Sequence, residues 1–190
     1  MNKNESKYFN TALLMDEALL QLLEKKDFAF ISVKEICQKA GVNRSTFYLH
    51  YENTNELLEE TIERLNERFV SSFPKDLIHT FKGRILTSKE FLTPYLNFVK
   101  ENKRVYKLIH RKPELFSTDK AFRKMYKDIF DPALDSFNVD EKEKKYVFEF
   151  YTKGSLGIIQ KWVEEDCKDD IDFVVNLIAK HTFANEKGHQ

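Results

Sequence analysis

The sequence predicts an all-α fold, with an N-terminal helix-turn-helix domain of three helices followed by a larger helical domain. Two observations favour helices along the whole chain. Apolar residues recur at intervals of three and four, which is the spacing of one face of a helix. Residues that break helices are rare, because only 5 glycines and 4 prolines occur among 190 residues. A chain of this length forms one large domain or two small ones.

The first domain is predicted over residues 1–52 and begins with a long helix from about Ser6 to Lys26. An apolar stripe that includes Phe9 and Leu13 marks the face of this helix that should meet the core. A capping box then predicts the start of the second helix. Ser32 can accept a hydrogen bond from the backbone of the residue three positions later, which is a glutamate that can bond back to the N–H of Ser32.

Gly41 lies where the second helix must end, since glycine adopts a left-handed backbone conformation without strain. A short turn that contains glycine between two helices is typical of a helix-turn-helix. The next helix, from about Arg44 to His50, turns Phe47 to the core and hydrogen-bonding groups elsewhere. Arg, Ser and Thr at the start of such a helix suit base edges, while Tyr and His suit phosphates. An ordinary pair of bundle helices is the alternative, but exposed helices more often carry Lys and Glu.

This segment resembles the DNA-binding domain of the TetR/AcrR family of bacterial transcriptional regulators. The resemblance rests on the stretches 28–33 and 36–37 and on Ala-Gly-Val-Asn-Arg-Ser-Thr-Phe-Tyr-Leu-His-Tyr at 40–51, and it continues into Glu-Leu-Leu at 56–58. It covers about the first third of the chain. The resemblance implies an all-helical homodimer that binds a short palindromic operator on double-stranded DNA without a cofactor.

By position, the resemblance places DNA contacts on eight residues: Ser32, Val33, Arg44, Ser45, Thr46, Tyr48, His50 and Thr54. The family usually has a phosphate-binding lysine at the position of Thr54. Threonine can bond a phosphate or cap the next helix but supplies no charge, so the salt dependence of binding should flatten by about one ion. Residues 1–60 hold 7 basic and 10 acidic residues, a net of −3, which opposes DNA binding unless acids such as Asp16 face away.

A connecting helix is predicted over 53–73, and residues 74–190 form the second predicted domain, which serves regulation and dimerisation. Its helices are expected at about 88–100, 103–111, 119–135, 140–165 and 169–183. Pro94 should kink the first of these or delay its start.

The helix at 140–165 is apolar on more than one face, which suggests burial on both sides. Its two glycines are explained if another backbone approaches closely, and together with Trp162 they resemble the C-terminal domain common in such regulators from Gram-positive bacteria. The family forms its dimer from the last two helices of each subunit. We therefore predict a dimer interface at Phe148, Gly154, Gly157, Ile158, Trp162, Val174 and Ile178. A helix packed only within its own chain is the alternative.

Aromatic residues of the second domain could line an apolar cavity for a small-molecule effector. The predicted set is Phe91, Tyr95, Phe98, Tyr106, Phe122, Tyr126 and Phe150. Aromatic side chains at helical spacing more often form a core, and that alternative stays open. Residues 75–128 hold 14 basic and 6 acidic residues, a net of +8, which fits a solvated face or the mouth of a site for an anionic ligand.

The sequence therefore predicts a ligand-responsive regulator, with repression favoured by family habit alone. A protein-binding coregulator that keeps the fold without reading an operator is the alternative. An enzyme is disfavoured, because no nucleophile elbow, phosphate loop or paired-histidine zinc motif occurs. Cys37 and Cys167 provide neither a disulfide framework nor the spacing of a metal site. The lack of a signal peptide and of a long apolar run predicts a cytoplasmic protein with no membrane segment.

Overall fold

The computed structural model describes residues 3–72, 88–116 and 140–182, and within these ranges the chain forms helices and no strand. The elements are α1 (Lys3–Leu23), a 3-10 turn (Phe28–Phe30), α2 (Val33–Ala40), α3 (Arg44–His50), α4 (Thr54–Ser71), α5 (Lys89–Glu101), α6 (Lys103–Arg111), α7 (Pro113–Phe116), α8 (Glu141–Glu164) and α9 (Ile171–Thr182). The predicted all-α class is confirmed. The helix expected at 119–135 lies outside the described residues. The chain divides into two compact units, residues 1–67 and 68–190, and the division falls inside α4.

Unit 1 packs α1, α2, α3 and the first part of α4 around one core. Met15, Leu19 and Leu23 follow one another at spacings of four along α1, and all three are fully buried. Ile36 of α2 and Phe47 of α3 meet them in the same core and are also fully buried.

The stripe expected on α1 is partly wrong. Phe9 is 48% exposed and Leu13 36% exposed, whereas Met15 is buried. The buried face is rotated by part of a turn from the one that the leucines and Phe9 suggested. Tertiary packing against α2 chooses this face, and α1 has enough apolar residues to offer more than one.

The capping box at the start of α2 is confirmed. The Glu35 N–H donates to Ser32 Oγ at 3.3 Å, and the Ser32 N–H donates to Glu35 Oε2 at 3.0 Å. Lys26 Nζ also donates to Glu35 Oε1 at 2.6 Å. The hydrogen bond from Lys26, with those from Ser32, lowers the pKa of Glu35 to about 2. At the other end of α2, Gly41 has the left-handed φ of 70° that the sequence predicts.

Replacing Ser32 with alanine should destabilise the protein by about 1 kcal/mol, because a donor at the start of α2 loses its partner. Urea unfolding followed by circular dichroism measures this loss. The Ser32→Thr variant keeps the acceptor and is the matched control; an equal loss in both variants would contradict a capping role.

The contribution of the capping box to stability depends on pH through Glu35, whose folded pKa lies below its ordinary value of 4.5. The stabilisation by the ionised Glu35 carboxylate is therefore present above pH 4.5 and is lost as the pH falls through about 2. The difference between Ser32→Ala and the native protein should therefore shrink across that range.

Unit 2 packs α5, α6, α8 and α9 around a second core. Leu96 of α5 and Ile178 of α9 are fully buried in it, and Trp162 of α8 lies between the helices with 3% of its surface exposed. The helix α5 begins at Lys89, so of the two expected effects of Pro94 a delayed start is excluded, and a kink stays a prediction. Proline in the second turn removes only one backbone bond near the helix start, where the neighbouring core contacts outweigh the loss.

The corner between α8 and α9 is fixed by polar contacts. Asp166 and Cys167 adopt left-handed φ values of 65° and 56°. The carboxylate of Asp166 accepts hydrogen bonds from Lys103 at 2.7 Å and Lys107 at 3.0 Å on α6, and these bonds lower its pKa to about 2. Trp162 Nε1 donates to the Asp169 carbonyl at 2.9 Å. These bonds offset the backbone strain of the corner and hold it against α6.

Candidate nucleic-acid interface

The start of α3 is organised by Asn43, which caps the helix. Its Oδ1 accepts hydrogen bonds from the Thr46 N–H at 2.7 Å, from Ser45 Oγ at 2.7 Å and from Thr46 Oγ1 at 2.9 Å. Two of the predicted DNA contacts, Ser45 and Thr46, therefore have their hydroxyls oriented by one amide oxygen. Each hydroxyl keeps free lone pairs and can still accept a hydrogen bond from a base. Each can also donate its hydrogen to a phosphate oxygen in place of Asn43 Oδ1.

Arg44 and Tyr48 form a pair one turn apart on the exposed side of α3. Arg44 Nη2 donates to the Tyr48 hydroxyl at 3.3 Å, and the guanidinium carbon lies 5.9 Å from the centre of the tyrosine ring. The hydrogen bond to Tyr48 raises the pKa of Arg44, which stays fully charged. Tyr48 is 51% exposed. This pairing limits the side-chain freedom of Arg44 before any DNA arrives, which reduces the entropy lost on binding.

Leu49 is a residue of this surface that the sequence reasoning missed. Its side chain is 78% exposed, although leucine is usually buried. Phe47 and Tyr51 define the core side of α3, and a residue two positions from each lies on the opposite side of a helix. This helical spacing could have predicted from the sequence that Leu49 is exposed. An exposed apolar side chain near the end of such a helix suits the methyl group of thymine in the major groove.

His50 lies at the end of α3 and is half-buried. Its ring stacks on Tyr8 of α1, with the ring centres 3.8 Å apart and the planes 20° from parallel. The Nδ1 atom is enclosed and makes no hydrogen bond within the described part of the chain. Burial lowers the pKa of His50 below its ordinary value, and the nearby positive charge of Arg64 lowers it further. The negative charge of Glu60 raises this pKa but does not cancel the decrease.

A buried polar cluster behind α3 joins three helices of unit 1. Arg64 of α4 donates through Nε and Nη2 to the two carboxylate oxygens of Asp16 on α1, each at 2.7 Å. The same guanidinium donates to the Tyr51 hydroxyl at 2.9 Å and to Glu60 at 2.6 Å. Thr61 Oγ1 donates to Asp16 at 2.8 Å. The cluster therefore fixes the end of α3 relative to α1 and α4.

The pKa values follow from this arrangement. Burial opposes the charge on Arg64, but its bonds to Asp16 and Glu60 raise its pKa nevertheless. Burial also raises the pKa of Tyr51. Asp16 is one of the acids expected to face away from the DNA; only 7% of the residue is exposed, and it is paired with Arg64 inside the unit. Its partner lies 48 residues further along the chain, and no local pattern announces a pair at that separation.

The remaining predicted contacts lie at helix starts. Ser32 is exposed and Val33 half-buried at the N-terminus of α2. Asn53, rather than Thr54, caps α4, since its Oδ1 accepts from the backbone N–H groups of residues 55 and 56 at 2.9 and 3.1 Å. The suggestion that Thr54 caps α4 is therefore corrected. Thr54 is half-buried in the first turn of that helix.

The predicted effector site is partly assembled in unit 2. Phe69, near the end of α4, lies 5.4 Å from Tyr95 and 5.5 Å from Phe98 between ring centres, and Phe98 lies 6.4 Å from Tyr106. Burial raises the pKa of Tyr95 to about 12 and also raises that of Tyr106. Phe91 is buried beside Tyr95.

The predicted effector set also includes Phe150, Phe122 and Tyr126. Phe150 is 70% exposed, so its place in the set is corrected. Phe122 and Tyr126 lie outside the described residues. Phe69, in contrast, belongs to the cluster but was absent from the sequence prediction, which considered only the second predicted domain.

The predicted dimer residues separate into two groups. Trp162, Val174 and Ile178 fill the core of unit 2, with at most 3% of each exposed, so the prediction that they face a partner is corrected. Ile158 is half-buried against the same core. Gly154 and Gly157 are exposed, and apart from the neighbouring backbone of α8 no described atom lies within 4 Å of a Cβ placed on either. The side chain of Phe148 lies outside the described residues.

Across the described ranges, no helix is both long and apolar enough to cross a lipid bilayer.

Two family models match most of the chain. Residues 17–61 match the model described as "Bacterial regulatory proteins, tetR family", and residues 87–182 match "Transcriptional regulator C-terminal region". The HTH-type transcriptional regulator YxbF of Bacillus subtilis is 27% identical over 154 residues, which make up 79% of this chain and 39% of that protein. An HTH-type transcriptional regulator of Haemophilus influenzae is 23% identical over 154 residues, 77% of this chain and 72% of that protein. The chain thus spans well under half the length of the Bacillus relative.

Solved structures share the fold at low sequence identity. A TetR-like regulator from Rhodococcus sp. RHA1 superposes with a TM-score of 0.67 at 17% identity, covering 94% of this chain and 97% of that one. A TetR family regulator from Marinobacter aquaeolei has a TM-score of 0.63 at 14% identity, with coverage of 94% and 97%. The dihydroxyacetone kinase operon activator DhaS has a TM-score of 0.52 at 20% identity, with coverage of 93% and 96%. With both of its halves matched by regulator models, the chain belongs to the TetR family of DNA-binding transcriptional regulators, which are not enzymes.

Proposed function

We propose that this chain acts in the cytoplasm as a homodimeric repressor that binds a palindromic operator through α3 and releases it when a small molecule binds unit 2. The observation that carries the proposal is the two-sided character of α3. Phe47 and Tyr51 anchor one side in the core and in the Arg64 cluster, while Arg44 and Tyr48 are exposed and already paired on the other. A helix that is anchored on one side and exposes hydrogen-bonding groups on the other fits major-groove recognition.

Four side chains of α3 are assigned proposed roles by their chemistry. Arg44 and Leu49 suit base edges, because guanidinium binds guanine and an apolar group contacts the methyl of thymine. Tyr48 and His50 suit phosphates at the margins of the groove.

The net charge of unit 1 does not by itself set the potential at α3. Asp16 is paired with Arg64, and Glu35 with Lys26, so these two carboxylates are neutralised within the unit. Distribution of charge, more than its sum, sets the potential that phosphates meet at α3.

In the proposed dimer, a second copy of the chain packs against one exposed stripe of residues on α8. Tyr146, Phe150, Gly154 and Gly157 are exposed and follow at spacings of four, four and three, so they share one helix face. Tyr146 is 68% and Phe150 70% exposed. Large exposed aromatic side chains beside glycines fit a second copy whose helix approaches closely. Two copies also supply the two recognition helices, about 34 Å apart or a multiple of that, which a palindrome requires.

Changing both Gly154 and Gly157 to alanine separates an interface from an exposed helix. Within the described part of the chain, a Cβ at either position meets no atom beyond the neighbouring backbone of α8, and alanine favours a helix by about 1 kcal/mol over glycine. The variant should therefore melt at a higher temperature as a monomer yet dimerise more weakly, as measured by sedimentation. Unchanged dimerisation would exclude close backbone approach at this stripe. Changing the exposed Lys168 to alanine, away from the stripe, is the control.

The aromatic cluster of Phe69, Tyr95, Phe98 and Tyr106 is the proposed effector site. Phe69 belongs to α4, which continues from the helix-turn-helix, so a ligand that displaces Phe69 acts directly on the connecting helix. Two tyrosine hydroxyls in an apolar surrounding provide the few polar groups that orient a ligand. The direction of regulation is proposed from family habit, and the structural relative DhaS, named an operon activator, makes activation the alternative outcome.

Selection of bound sequences from a random double-stranded DNA pool tests the proposal. We expect a palindromic sequence with two half-sites and an affinity that falls steeply with salt, because phosphate contacts dominate binding. Enrichment of a single half-site would contradict the dimeric mode. No enrichment at low salt would reject operator binding and favour the coregulator alternative.

A further inference from the structure

We propose that Tyr8 of α1 belongs to the DNA-binding surface, where it positions the His50 ring so that Nε2 donates a hydrogen bond to a backbone phosphate. This inference rests on the proposed operator binding. It assigns to the first turns of α1 a role that the helix-turn-helix motif does not contain. Tyr8 acts here through His50 and is therefore a positioning residue.

The stack between the two rings carries the inference. The Tyr8 and His50 ring centres are 3.8 Å apart and the planes are 20° from parallel, so one face of the imidazole is covered by the phenol. Tyr51 lies beside the same imidazole, with ring centres 5.7 Å apart and planes tilted by 34°. His50 is thus held between α1 and the end of α3. Tyr8 remains 53% exposed, which leaves this corner of unit 1 open to a large ligand.

The surroundings of the imidazole select its tautomer. Nδ1 is enclosed and has no hydrogen-bond partner in the described part of the chain. A proton on Nδ1 would be a buried donor left unsatisfied, which is the more costly arrangement for a ring nitrogen. The proton of the neutral ring therefore belongs on Nε2, the nitrogen that is not enclosed. A donor held in one orientation on the recognition helix suits a phosphate oxygen.

The charges that surround His50 make the contact pH-sensitive. The groups that face it are Tyr8 from α1, Tyr51 at the end of α3, and Glu60 and Arg64 from α4. In the free protein, burial keeps the pKa of His50 below its ordinary value of 6.5. A phosphate beside Nε2 favours the charged ring and raises that pKa. DNA affinity should therefore increase as the pH falls through the bound pKa towards the free one, with uptake of one proton at this ring in each subunit.

Dissociation constants for the selected operator test the role in a double-mutant cycle of Tyr8→Ala and His50→Ala, measured with the full chain. Each single change should weaken binding by about tenfold, the value of one hydrogen bond to a charged group. The double variant should bind no more weakly than His50→Ala alone, since Tyr8 acts only through that ring. Additive losses would overturn the positioning role. Tyr8→Phe keeps the stack and should bind like the native protein; Phe9→Ala, at the neighbouring exposed position, is the matched control.

A measurement without DNA distinguishes this inference from the proposed function. Long-range ¹H–¹⁵N NMR spectra report the tautomer and pKa of His50, with its signals assigned by the His50→Ala variant. The native protein should show the Nε2-protonated tautomer, and Tyr8→Ala should raise the His50 pKa towards 6.5 because the ring is uncovered. The Nδ1 tautomer, or a pKa that Tyr8→Ala leaves unchanged, would overturn the inference even if operator binding is found. Normal NMR behaviour with no DNA binding would reject operator binding and the phosphate contact together.

Discussion

Replacing Asp16 with alanine is expected to destabilise unit 1 by about 3–5 kcal/mol, because it leaves the buried guanidinium of Arg64 without its main partner. The side chain of Asp16 is 10% exposed and that of Arg64 16%, and two bonds of 2.7 Å join them. Natural domains are stable by only about 5–15 kcal/mol, so a loss of this size removes a large part of the total. Urea unfolding followed by circular dichroism measures it.

Two further variants test whether the loss of stability comes from the Asp16–Arg64 pair or would follow from any substitution in this region. Glu60→Ala removes a partner of the same guanidinium whose side chain is 44% exposed, and it should lower stability by under about 1 kcal/mol. The double change Asp16→Leu with Arg64→Met replaces the pair by apolar side chains and should recover much of the stability. If Asp16→Ala proved no worse than Glu60→Ala, the cluster would not fix α3 as the geometry implies.

The Asp16→Ala change should also weaken DNA binding, although no atom of Asp16 contacts DNA in the proposal. Tyr51 follows α3 directly, and its hydroxyl is held by Arg64 at 2.9 Å. Loosening Arg64 loosens the end of the recognition helix, which carries Tyr48 and His50. A misplacement of the contacting groups reduces specific affinity more than non-specific affinity, and the ratio of the two is the quantity to measure.

Replacing Arg44 with alanine should weaken specific binding by about 1–3 kcal/mol, which is the value of a bidentate contact with a guanine. The expected loss is about 5- to 150-fold in the dissociation constant for one subunit's contact. Arg44 lies in the first turn of α3 with its guanidinium exposed and stacked towards Tyr48, and this position is where recognition helices meet base edges. Stability should be unchanged, because the side chain fills no part of the core.

Arg44→Lys distinguishes a base contact from a phosphate contact. Lysine keeps the charge but cannot form the planar pair of hydrogen bonds, so a base contact should lose most of its specificity while a phosphate contact should survive. Arg111→Ala, at an exposed arginine of unit 2, is the control for a general loss of positive charge. Equal effects of Arg44→Ala on the selected operator and on unrelated DNA would place Arg44 on the phosphate backbone.

Local sequence signals predicted the features of unit 1 that depend on residues close together in the chain. Ser32 and Glu35, three positions apart, form the predicted capping box, and Gly41 has the predicted left-handed backbone. The helix expected over Arg44 to His50 has those same bounds in the structure. These features depend on backbone hydrogen bonds and on the conformational freedom of single residues, which neighbouring sequence determines.

The sequence did not predict which faces of the helices pack against one another and which are exposed. The apolar residues of α8 predicted burial on two sides, but only the tertiary structure shows that Trp162 faces the core while Tyr146 and Phe150 are exposed. The exposed Leu49 belongs to the same class of feature, because exposure depends on which side of α3 the core occupies.

The sequence by itself determined the all-α class, the helix-turn-helix and its family, because these are written in periodicity, caps and a contiguous motif. Only the tertiary structure decided the pair of Asp16 and Arg64 and the stack of Tyr8 on His50, whose members are 48 and 42 positions apart. Contacts at such separations depend on how helices pack, and packing is chosen by the whole core at once, so no local pattern specifies them.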